Sequence, residues 1–165
     1  MPKDNVPSTP AVLALRAAGV AFVPRVYAYV DKGGTRHSSA SLGVDEHQVV
    51  KTIVLETGDK QPLVCLMHGD RQISTKQLAR VIGAKTVQPC DPAVAHRHTG
   101  YQVGGTSPFG MRKPLPVYVE RSILDLPVIY INGGARGLLV ELAPRVLTDL
   151  LNATPVDVAQ VADAR

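Results

Sequence analysis

Lys51 is the first residue whose type and setting could do chemistry. It stands in an apolar run, VVKTIVLE, whose composition is typical of a β-strand. If the strand begins near Val49, alternation places Lys51 on the face of Val49 and Ile53, where an ammonium group is costly unless it has a partner. Two interpretations stay open. Either the strand ends there and the long stem reaches solvent, or the cation lies at the mouth of a pocket and meets a phosphate, a carboxylate or a developing oxyanion.

A glycine-rich segment, YQVGGTSPFG at residues 101–110, is the second candidate. Gly104 and Gly105 permit positive φ and let a ligand approach main-chain N–H groups, which can hold an oxyanion. A tight structural turn is the alternative for these glycines. Ser107 as a nucleophile would not fit the GxSxG elbow, because the next glycine, Gly110, comes one position too late.

The third candidate is a second glycine pair, Gly133 and Gly134, in the run INGGARG, which also carries Asn132 and Arg136. As a hairpin loop between two strands it would be ordinary. The two glycine pairs each follow a β-rich run, however, so they could also meet at one end of a sheet. There they would form opposed main-chain walls of one pocket.

Length and composition favour one domain over residues 1–165, with residues 1–8 and 158–165 as loose ends. The chain is 45% hydrophobic and 19% charged, enough apolar material for a core. The start of the chain lacks the apolar core of a signal peptide, and no run approaches the roughly 18 apolar residues of a membrane span. We therefore expect a soluble, cytoplasmic protein with no membrane partner. Cys65 and Cys90 have no metal-ligand spacing, so we expect neither a metal site nor a disulfide.

The charge balance is basic, with a formal net charge of +4 and a pI near 9.2. This favours anionic partners, although a solvated basic surface is an equally good account of it. Aromatic residues are scarce at 4%, which argues against a platform on which single-stranded nucleic acid stacks.

Local signals predict more strands than helices. A helix follows the cap Thr9, and Asp45 caps a single helical turn. Other helices are predicted at residues 75–82, 91–100 and 144–151. Strands are predicted at residues 22–29, 51–56, 61–68, 85–89, 115–120, 127–131 and 137–142, and residues 31–39 are expected to be a flexible connection.

Three runs in this order, VVKTIVL, TGYQVGGTSPFG and IYINGGARGLLVEL, resemble the YbaK family of aminoacyl-tRNA deacylases, also called the YbaK/EbsC family. The resemblance extends from about Thr9 to the last helix. It implies a mixed α/β (α+β) single domain with a curved, barrel-like mixed sheet flanked by helices. It also implies a relationship to the editing domain found in many bacterial prolyl-tRNA synthetases.

The activity implied by the resemblance is hydrolysis, in trans, of tRNA charged with the wrong amino acid, most often cysteine on proline tRNA. A second hydrolytic site is needed because a proline pocket discriminates against a small residue by only about 1–3 kcal/mol. No protein nucleophile, metal or cofactor is implied. The implied partners are mischarged tRNA, most often proline tRNA, and prolyl-tRNA synthetase; no DNA partner is expected.

The resemblance also implies roles for individual residues. Lys51 would hold the terminal adenosine phosphate or the ester, and the amides of Gly104 and Gly105 would stabilise the oxyanion, with Ser107 completing the catalytic set. The implied substrate-binding positions are Tyr27, Thr52, Thr106, Pro108, Gly110, Asn132, Gly133, Gly134 and Arg136.

Two positions depart from the cysteine-specific pattern, in which serine stands at the position of Asn132 and aspartate at that of Leu139. Alanine or another small amino acid on proline tRNA is therefore an open alternative. Two further alternatives are a noncatalytic module that binds a nucleotide or the tRNA acceptor end, and a serine hydrolase that uses Ser107. Arg112, Lys113 and Arg136 could contact the RNA backbone, or they could be exposed loop charges.

Overall fold

Helix α1, Pro10–Ala17, opens the part of the chain that the computed structural model describes, residues 6–161. The helix begins where predicted because the Oγ1 atom of Thr9 accepts a hydrogen bond of 3.0 Å from the Val12 N–H. Pro10 fits the first turn, where its missing N–H costs nothing. The buried residues of α1, among them Leu15, join the core on one face of the sheet.

Strand β1, Val23–Val26, is shorter than the predicted strand at residues 22–29. Within residues 6–161, β1 pairs with a single strand, so it lies at the edge of the sheet. Pro24 is tolerated there because an edge strand does not need every N–H for pairing.

The prediction of a flexible connection at residues 31–39 is wrong, because Gly34–Leu42 form helix α2. Its sequence, GTRHSSASL, contains few strong helix formers, so local propensity does not reveal it. Burial stabilises it instead: Ser38 and Ser39 are buried, and their hydroxyls donate to main-chain carbonyls within the helix. The helix ends at Gly43, which has a left-handed φ of 68°.

The predicted hairpin forms the centre of the molecule. After a 3₁₀ turn at Glu46–Gln48, strand β2 spans Val49–Thr57 and pairs antiparallel with β3, Pro62–His68. The remaining elements are β4 (Arg71–Ile73), α3 (Thr75–Ile82), β5 (Val87–Pro89), α4 (Pro92–Thr99), β6 (Val117–Glu120), a 3₁₀ turn (Arg121–Asp125), β7 (Ile129–Ala135), β8 (Leu138–Leu142), α5 (Arg145–Asp149), β9 (Thr154–Val156) and β10 (Ala159–Val161).

The main sheet is mixed and runs in the order β1-β8-β7-β2-β3-β6-β9. Strand β5 also pairs with β2, along the same edge of β2 as β7. The β2–β7, β3–β6 and β6–β9 pairs are parallel and the others are antiparallel. This arrangement, with helices packed against the sheet, confirms the predicted α+β class. In residues 6–161 no ladder joins β1 to β9, so the sheet is not a closed ring.

Alternation along β2 separates two apolar cores. Val50 and Val54 face the core that contains α1 and α5, whereas Leu55 faces the core that contains Leu78 of α3. Ile53 packs against this second core, so Lys51 lies on the predicted face. Within residues 6–161, no helix has the length and apolar character that crossing a bilayer requires.

The predicted loose ends are only partly covered by the structure, since residues 1–5 and 162–165 lie outside the described range. Residues 158–161 belong to the fold, contrary to expectation. Val158 is buried, and β10 pairs with β4 in a separate two-stranded ladder.

Candidate active site

A gap in the sheet beside β2 creates the candidate active site. On the edge of β2 away from β3, pairing with β7 involves Val49 and Val50, and pairing with β5 begins only at Leu55. The β2–β7 ladder ends at Ile131, and directly after it the register of β7 against β8 shifts between Asn132 and Ala135, as expected for a bulge at a glycine pair. A cavity of about 570 Å³ lies against the intervening stretch of β2.

The cavity walls come from five parts of the chain, one of which is the glycine segment with Val103, Gly104 and Thr106. Residues 49–54 of β2 form one wall, and β7 and β8 contribute Asn132 and Leu139. The end of β5 and the start of α4 add Cys90 and Ala95, and residues between Tyr27 and Ser38 cover another side. Most of these side chains are apolar, so charged and polar groups among them can orient a ligand.

Lys51 is the charged group of β2 in this cavity. Its Nζ donates a hydrogen bond of 2.6 Å to the main-chain carbonyl of Arg71. Burial lowers the pKa of Lys51, while the nearby carboxylates of Glu46 and Asp70 act in the opposite direction. Lys51 is the third residue of a nine-residue strand, so the strand does not end at this position.

Six of the predicted site residues line the same cavity: Tyr27, Lys51, Thr52, Gly104, Thr106 and Asn132. Their positions on distant parts of the chain show that the fold assembles this set. The Oγ1 atom of Thr52 is buried and has no hydrogen-bond partner within residues 6–161. A buried hydroxyl without a partner is uncommon in proteins.

The two glycine segments meet, as the sequence suggested. Asn132 connects them, because its Nδ2 donates to the carbonyl of Gly104 at 3.1 Å and its Oδ1 accepts from the N–H of Gly134 at 2.6 Å. A Cβ atom on Gly105 would lie 2.9 Å from the backbone nitrogen of Arg136. Because Gly105 has no side chain, its backbone can contact the backbone of the second glycine segment at Arg136.

Seven predicted residues do not line the cavity: Gly105, Ser107, Pro108, Gly110, Gly133, Gly134 and Arg136. Of the two predicted oxyanion donors, the Gly105 amide is engaged, since it donates to the carbonyl of Gln102 at 2.9 Å. The Gly104 amide has no acceptor among the described residues. Gly104 therefore remains a candidate donor, and the expectation for Gly105 is corrected.

Ser107 is placed where it cannot act as a nucleophile. It is 0% exposed, and its Oγ accepts a hydrogen bond of 3.2 Å from the N–H of Phe109. Pro108 is buried beside it. These contacts shape the turn after the glycine pair, so the serine-hydrolase alternative has no geometric support.

Gly110, Gly133 and Gly134 have packing roles. A Cβ atom on Gly110 would lie 2.5 Å from the carbonyl oxygen of Pro10, and one on Gly133 would lie 2.9 Å from the side chain of Leu138. Gly134 has a φ of 95°, which few other residues adopt. These glycines permit close packing around the cavity without forming its wall.

Arg136 also holds the loop together. Its Nε donates to the carbonyl of Val103 at 2.9 Å, and its guanidinium lies 5.1 Å from the centre of the Tyr29 ring. Tyr29 itself lines the cavity. Arg136 therefore acts on the cavity through the residues that it contacts.

Sequence reasoning missed the cavity wall formed by residues 29–38. Thr35 and His37 of α2 belong to it, and the Oγ1 atom of Thr35 lies 2.8 Å from a carboxylate oxygen of Glu46 and 3.1 Å from the carbonyl of Gly69. The left-handed glycine at the end of α2 was the available signal, since it is typical of a helix C-terminus.

His47, His68 and Asp70 place possible metal-ligand atoms within 4.8 Å of one another. Several of these possible ligand atoms already form hydrogen bonds. His47 Nδ1 lies 2.8 Å from the Asp70 carboxylate, and both ring nitrogens of His68 are engaged, with the carbonyl of His47 and the hydroxyl of Ser122. His68 could ligate a metal only by giving up one of these bonds, so we interpret the cluster as support for the turn that holds Lys51.

The chain resembles several proteins of related function. It is 33% identical over 112 residues to EbsC of Enterococcus faecalis, named as a candidate Cys-tRNA(Pro)/Cys-tRNA(Cys) deacylase, and the match covers 68% of each chain. It is 31% identical over 88 residues to a proline–tRNA ligase of Streptococcus equi subsp. zooepidemicus, covering 53% of this chain and 14% of the ligase.

The fold is also found in a crystal structure described as a candidate trans-editing enzyme for prolyl-tRNA synthetase. The two structures superpose with a TM-score of 0.80 at 22% identity, over 94% of this chain and 99% of the other. Residues 34–150, which contain α2, the gap beside β2 and both glycine segments, match the family model for the aminoacyl-tRNA editing domain. The chain that builds this cavity therefore belongs to the aminoacyl-tRNA editing domain family.

Proposed function

We propose that the protein hydrolyses tRNA charged with the wrong amino acid, with cysteine on proline tRNA as the leading substrate. The observation that carries the proposal is the ammonium of Lys51 in the wall of an apolar cavity. The carboxylates of Glu46 and Asp70 lie near this ammonium but form no ion pair with it within residues 6–161, so a negative charge on a ligand would stabilise it further. The end of a charged tRNA offers two: the phosphate of the terminal adenosine, and the oxyanion that forms during ester cleavage.

Ester hydrolysis breaks the bond between the carbonyl carbon of the amino acid and the ribose oxygen. Attack on that carbon moves negative charge to the carbonyl oxygen, and we assign Lys51 and the Gly104 amide as its hydrogen-bond donors. The attacking group is water or, for a cysteine ester, the thiol of the substrate. Its proton passes to the departing ribose oxygen, so no protein nucleophile is needed.

Two cavity residues bear on which amino acid is removed. Asn132 and Leu139 lie directly opposite each other in the β7–β8 ladder, and both line the cavity. Leu139 is apolar where the cysteine-specific pattern has a carboxylate. The name of the EbsC relative supports cysteine, whereas the apolar Leu139 supports alanine as the second candidate substrate.

Proline tRNA and prolyl-tRNA synthetase are the partners we propose. The similarity to proline–tRNA ligases supports both. Arg112 and Lys113 are exposed and make no ion pair within residues 6–161, so they are available for phosphates of the RNA backbone. Each such contact should weaken binding as salt concentration rises.

A deacylation assay tests the proposal. Purified protein is incubated with proline tRNA charged with cysteine, alanine, serine or proline, and the loss of each ester is compared with its spontaneous hydrolysis. We expect cysteine or alanine to be released and proline to be retained. The variant Lys51→Met should lose about 100-fold or more in kcat/KM.

Lys76→Met is the matched control, because Lys76 is an exposed lysine of α3 outside the cavity. It should leave the rate unchanged. If the parent protein cleaves none of the four esters and Lys51→Met binds tRNA more weakly, the protein is a noncatalytic binding module and not a hydrolase.

A further inference from the structure

Thr52 presents its main chain to the gap in the sheet. The carbonyl of Val54 accepts a hydrogen bond of 3.1 Å from Cys90 N–H, and the N–H of Val64 donates one of 2.9 Å to Pro116. Val54 and Val64 are directly opposite in the β2–β3 ladder, so this pair directs its main-chain groups outward. Because such pairs alternate along antiparallel strands, the N–H and C=O of Thr52 also point away from β3.

No strand within residues 6–161 occupies the edge to which these groups point. The β7 ladder stops at Val50 and the Val54 carbonyl is bound by Cys90, which leaves residues 51–53, about 10 Å of edge at the usual rise of a strand, without a neighbour. Thr52 lines the cavity at this edge, and its buried Oγ1 also has no partner among the described residues. Polar main-chain groups in such a place are expected to meet a ligand or water.

We propose that Thr52 binds the aminoacyl group of the substrate as it would bind a residue of a neighbouring strand. Its N–H donates to the ester carbonyl oxygen, and its C=O accepts from the α-amine. An amino-acid ester carries the same donor and acceptor as a strand residue, so one residue-sized ligand fits one residue of open edge. This inference rests on the proposed deacylase function and extends it to how the ester is recognised.

The arrangement separates two tasks. Thr52 recognises the amine and carbonyl that every α-amino acid has, while walls such as Leu139 contact the side chain and select among amino acids. The Thr52 N–H also stands ready for the oxyanion, because it donates to the same oxygen on which negative charge develops.

A pair of substrates tests the role of the amine. Proline tRNA is charged with alanine or with propionate, which has the same carbon skeleton without the amine. With each rate divided by the spontaneous hydrolysis of the same ester, we expect kcat/KM to fall by about 10-fold or more for the propionyl ester, the size of effect seen when a hydrogen bond to a charged group is lost. Equal rates for the two esters would overturn the inference while leaving the deacylase function intact.

The N–H is tested by replacing the Thr52 amide with an ester linkage, using the α-hydroxy acid analogue of threonine. The fold should be retained because this N–H takes no part in a ladder, while kcat/KM should fall about 10-fold or more. Unchanged kcat/KM in a folded protein would contradict the proposed contact.

Binding without turnover separates failure of this inference from failure of the proposed function. The probe is alanyl-adenosine with a nonhydrolysable amide linkage, compared with adenosine alone, and the readout is the ¹H–¹⁵N chemical shift of the Thr52 amide. We expect the Thr52 signal to move with alanyl-adenosine only. The same movement with adenosine, or none while other cavity signals reach saturation, would overturn the inference whatever the deacylation assay shows.

Discussion

Lys51 and Arg71 are joined by a hydrogen bond of 2.6 Å between the lysine Nζ and the arginine main-chain carbonyl. The acceptor follows directly on the turn between β3 and β4. That turn is held in place by the Gly69 N–H, which donates to Val49 at 2.6 Å, and by the Thr35 hydroxyl, which lies 3.1 Å from the Gly69 carbonyl. The position of the cation therefore depends on residues outside its own strand.

The pH dependence of deacylation should report the charge of Lys51. Burial lowers the pKa of Lys51 below its ordinary value of 10.5, so the ammonium loses its proton at a lower pH than an exposed lysine would. The value of kcat/KM, corrected for spontaneous hydrolysis, should therefore decline on the alkaline side before pH 10.5 is reached. In Lys51→Arg the decline should move to higher pH, because guanidinium stays protonated. An identical alkaline decline in both proteins would show that another group titrates.

Thr35→Val should reduce kcat by about 10-fold with a smaller change in KM. The substitution keeps the shape of the side chain and removes the hydroxyl that lies beside Glu46 and Gly69. The turn that accepts the hydrogen bond from Lys51 then loses one of its supports. Steady-state kinetics on the best substrate of the deacylation panel measures the effect.

Thr35→Ser supplies the rescue for that experiment, since it restores a hydroxyl at the same position. Thr148→Val is the control, because the Thr148 hydroxyl donates only to its own helix, at 3.0 Å from the Arg145 carbonyl. A serine variant as impaired as the valine variant would mean that the methyl group, and not the hydroxyl, is what matters.

Gly105→Ala should lower the free energy of unfolding by about 1–3 kcal/mol. The new methyl group would stand 2.9 Å from the Arg136 nitrogen and 3.0 Å from the Ala135 carbonyl carbon, both backbone atoms that cannot swing away. Urea denaturation measures the change. Gly19→Ala is the comparison: Gly19 has a φ of 70° but open space around its Cβ position, so only the cost of a left-handed backbone at alanine, about 1 kcal/mol, applies. Equal losses in the two variants would contradict close packing of the glycine segments.

Glu120→Gln should destabilise the protein by about 2–3 kcal/mol at neutral pH. The carboxylate is only 5% exposed and accepts hydrogen bonds from Ser122, Val158 and Ala159, whereas an amide would turn an NH₂ group toward one of these donors. Asp157→Asn is the control, because Asp157 forms an exposed ion pair with Arg121. A loss no larger than that of the control would show that these hydrogen bonds contribute little.

The acid side of the stability profile provides a second check on Glu120. Burial raises the pKa of its carboxyl, but the hydrogen bonds lower it by more, so the folded-state pKa lies below the ordinary value of 4.5. As the pH falls, the carboxyl of Glu120 therefore becomes protonated at a higher pH in the unfolded chain than in the folded protein. The stabilisation by Glu120 is complete above about pH 4.5 and is lost as the pH falls through the folded-state pKa. In Glu120→Gln, the free energy of unfolding should therefore fall less steeply as the pH is lowered.

The sequence predicted those elements whose signals are local. The β2–β3 hairpin follows from two apolar runs around a turn, and α1 and α3 follow from their caps, Thr9 and Ser74. Helix α2 was missed because burial stabilises it against weak propensity. Strands β4, β9 and β10 have three residues each and exist only through pairing with distant partners, for which no local pattern is expected.

The candidate site was predictable to a similar depth. Lys51, Gly104 and Asn132 were expected to come together and do line one cavity. The sequence could not distinguish a glycine that lines the cavity, such as Gly104, from one that packs against backbone, such as Gly105, because that depends on where the second glycine segment lies. The family resemblance is confirmed by the match to the editing domain, whereas the roles of individual residues stay predictions.

The open edge beside Thr52 also bears on how the protein avoids aggregation. A strand edge without a neighbour is a template on which a foreign polypeptide can add, and long edges of this kind promote fibril growth. Here residues of α2 and the stretch before it line the space in front of that edge. Unwinding of α2 would remove one wall of that space, and we expect the edge of β2 then to become more accessible to extended chains.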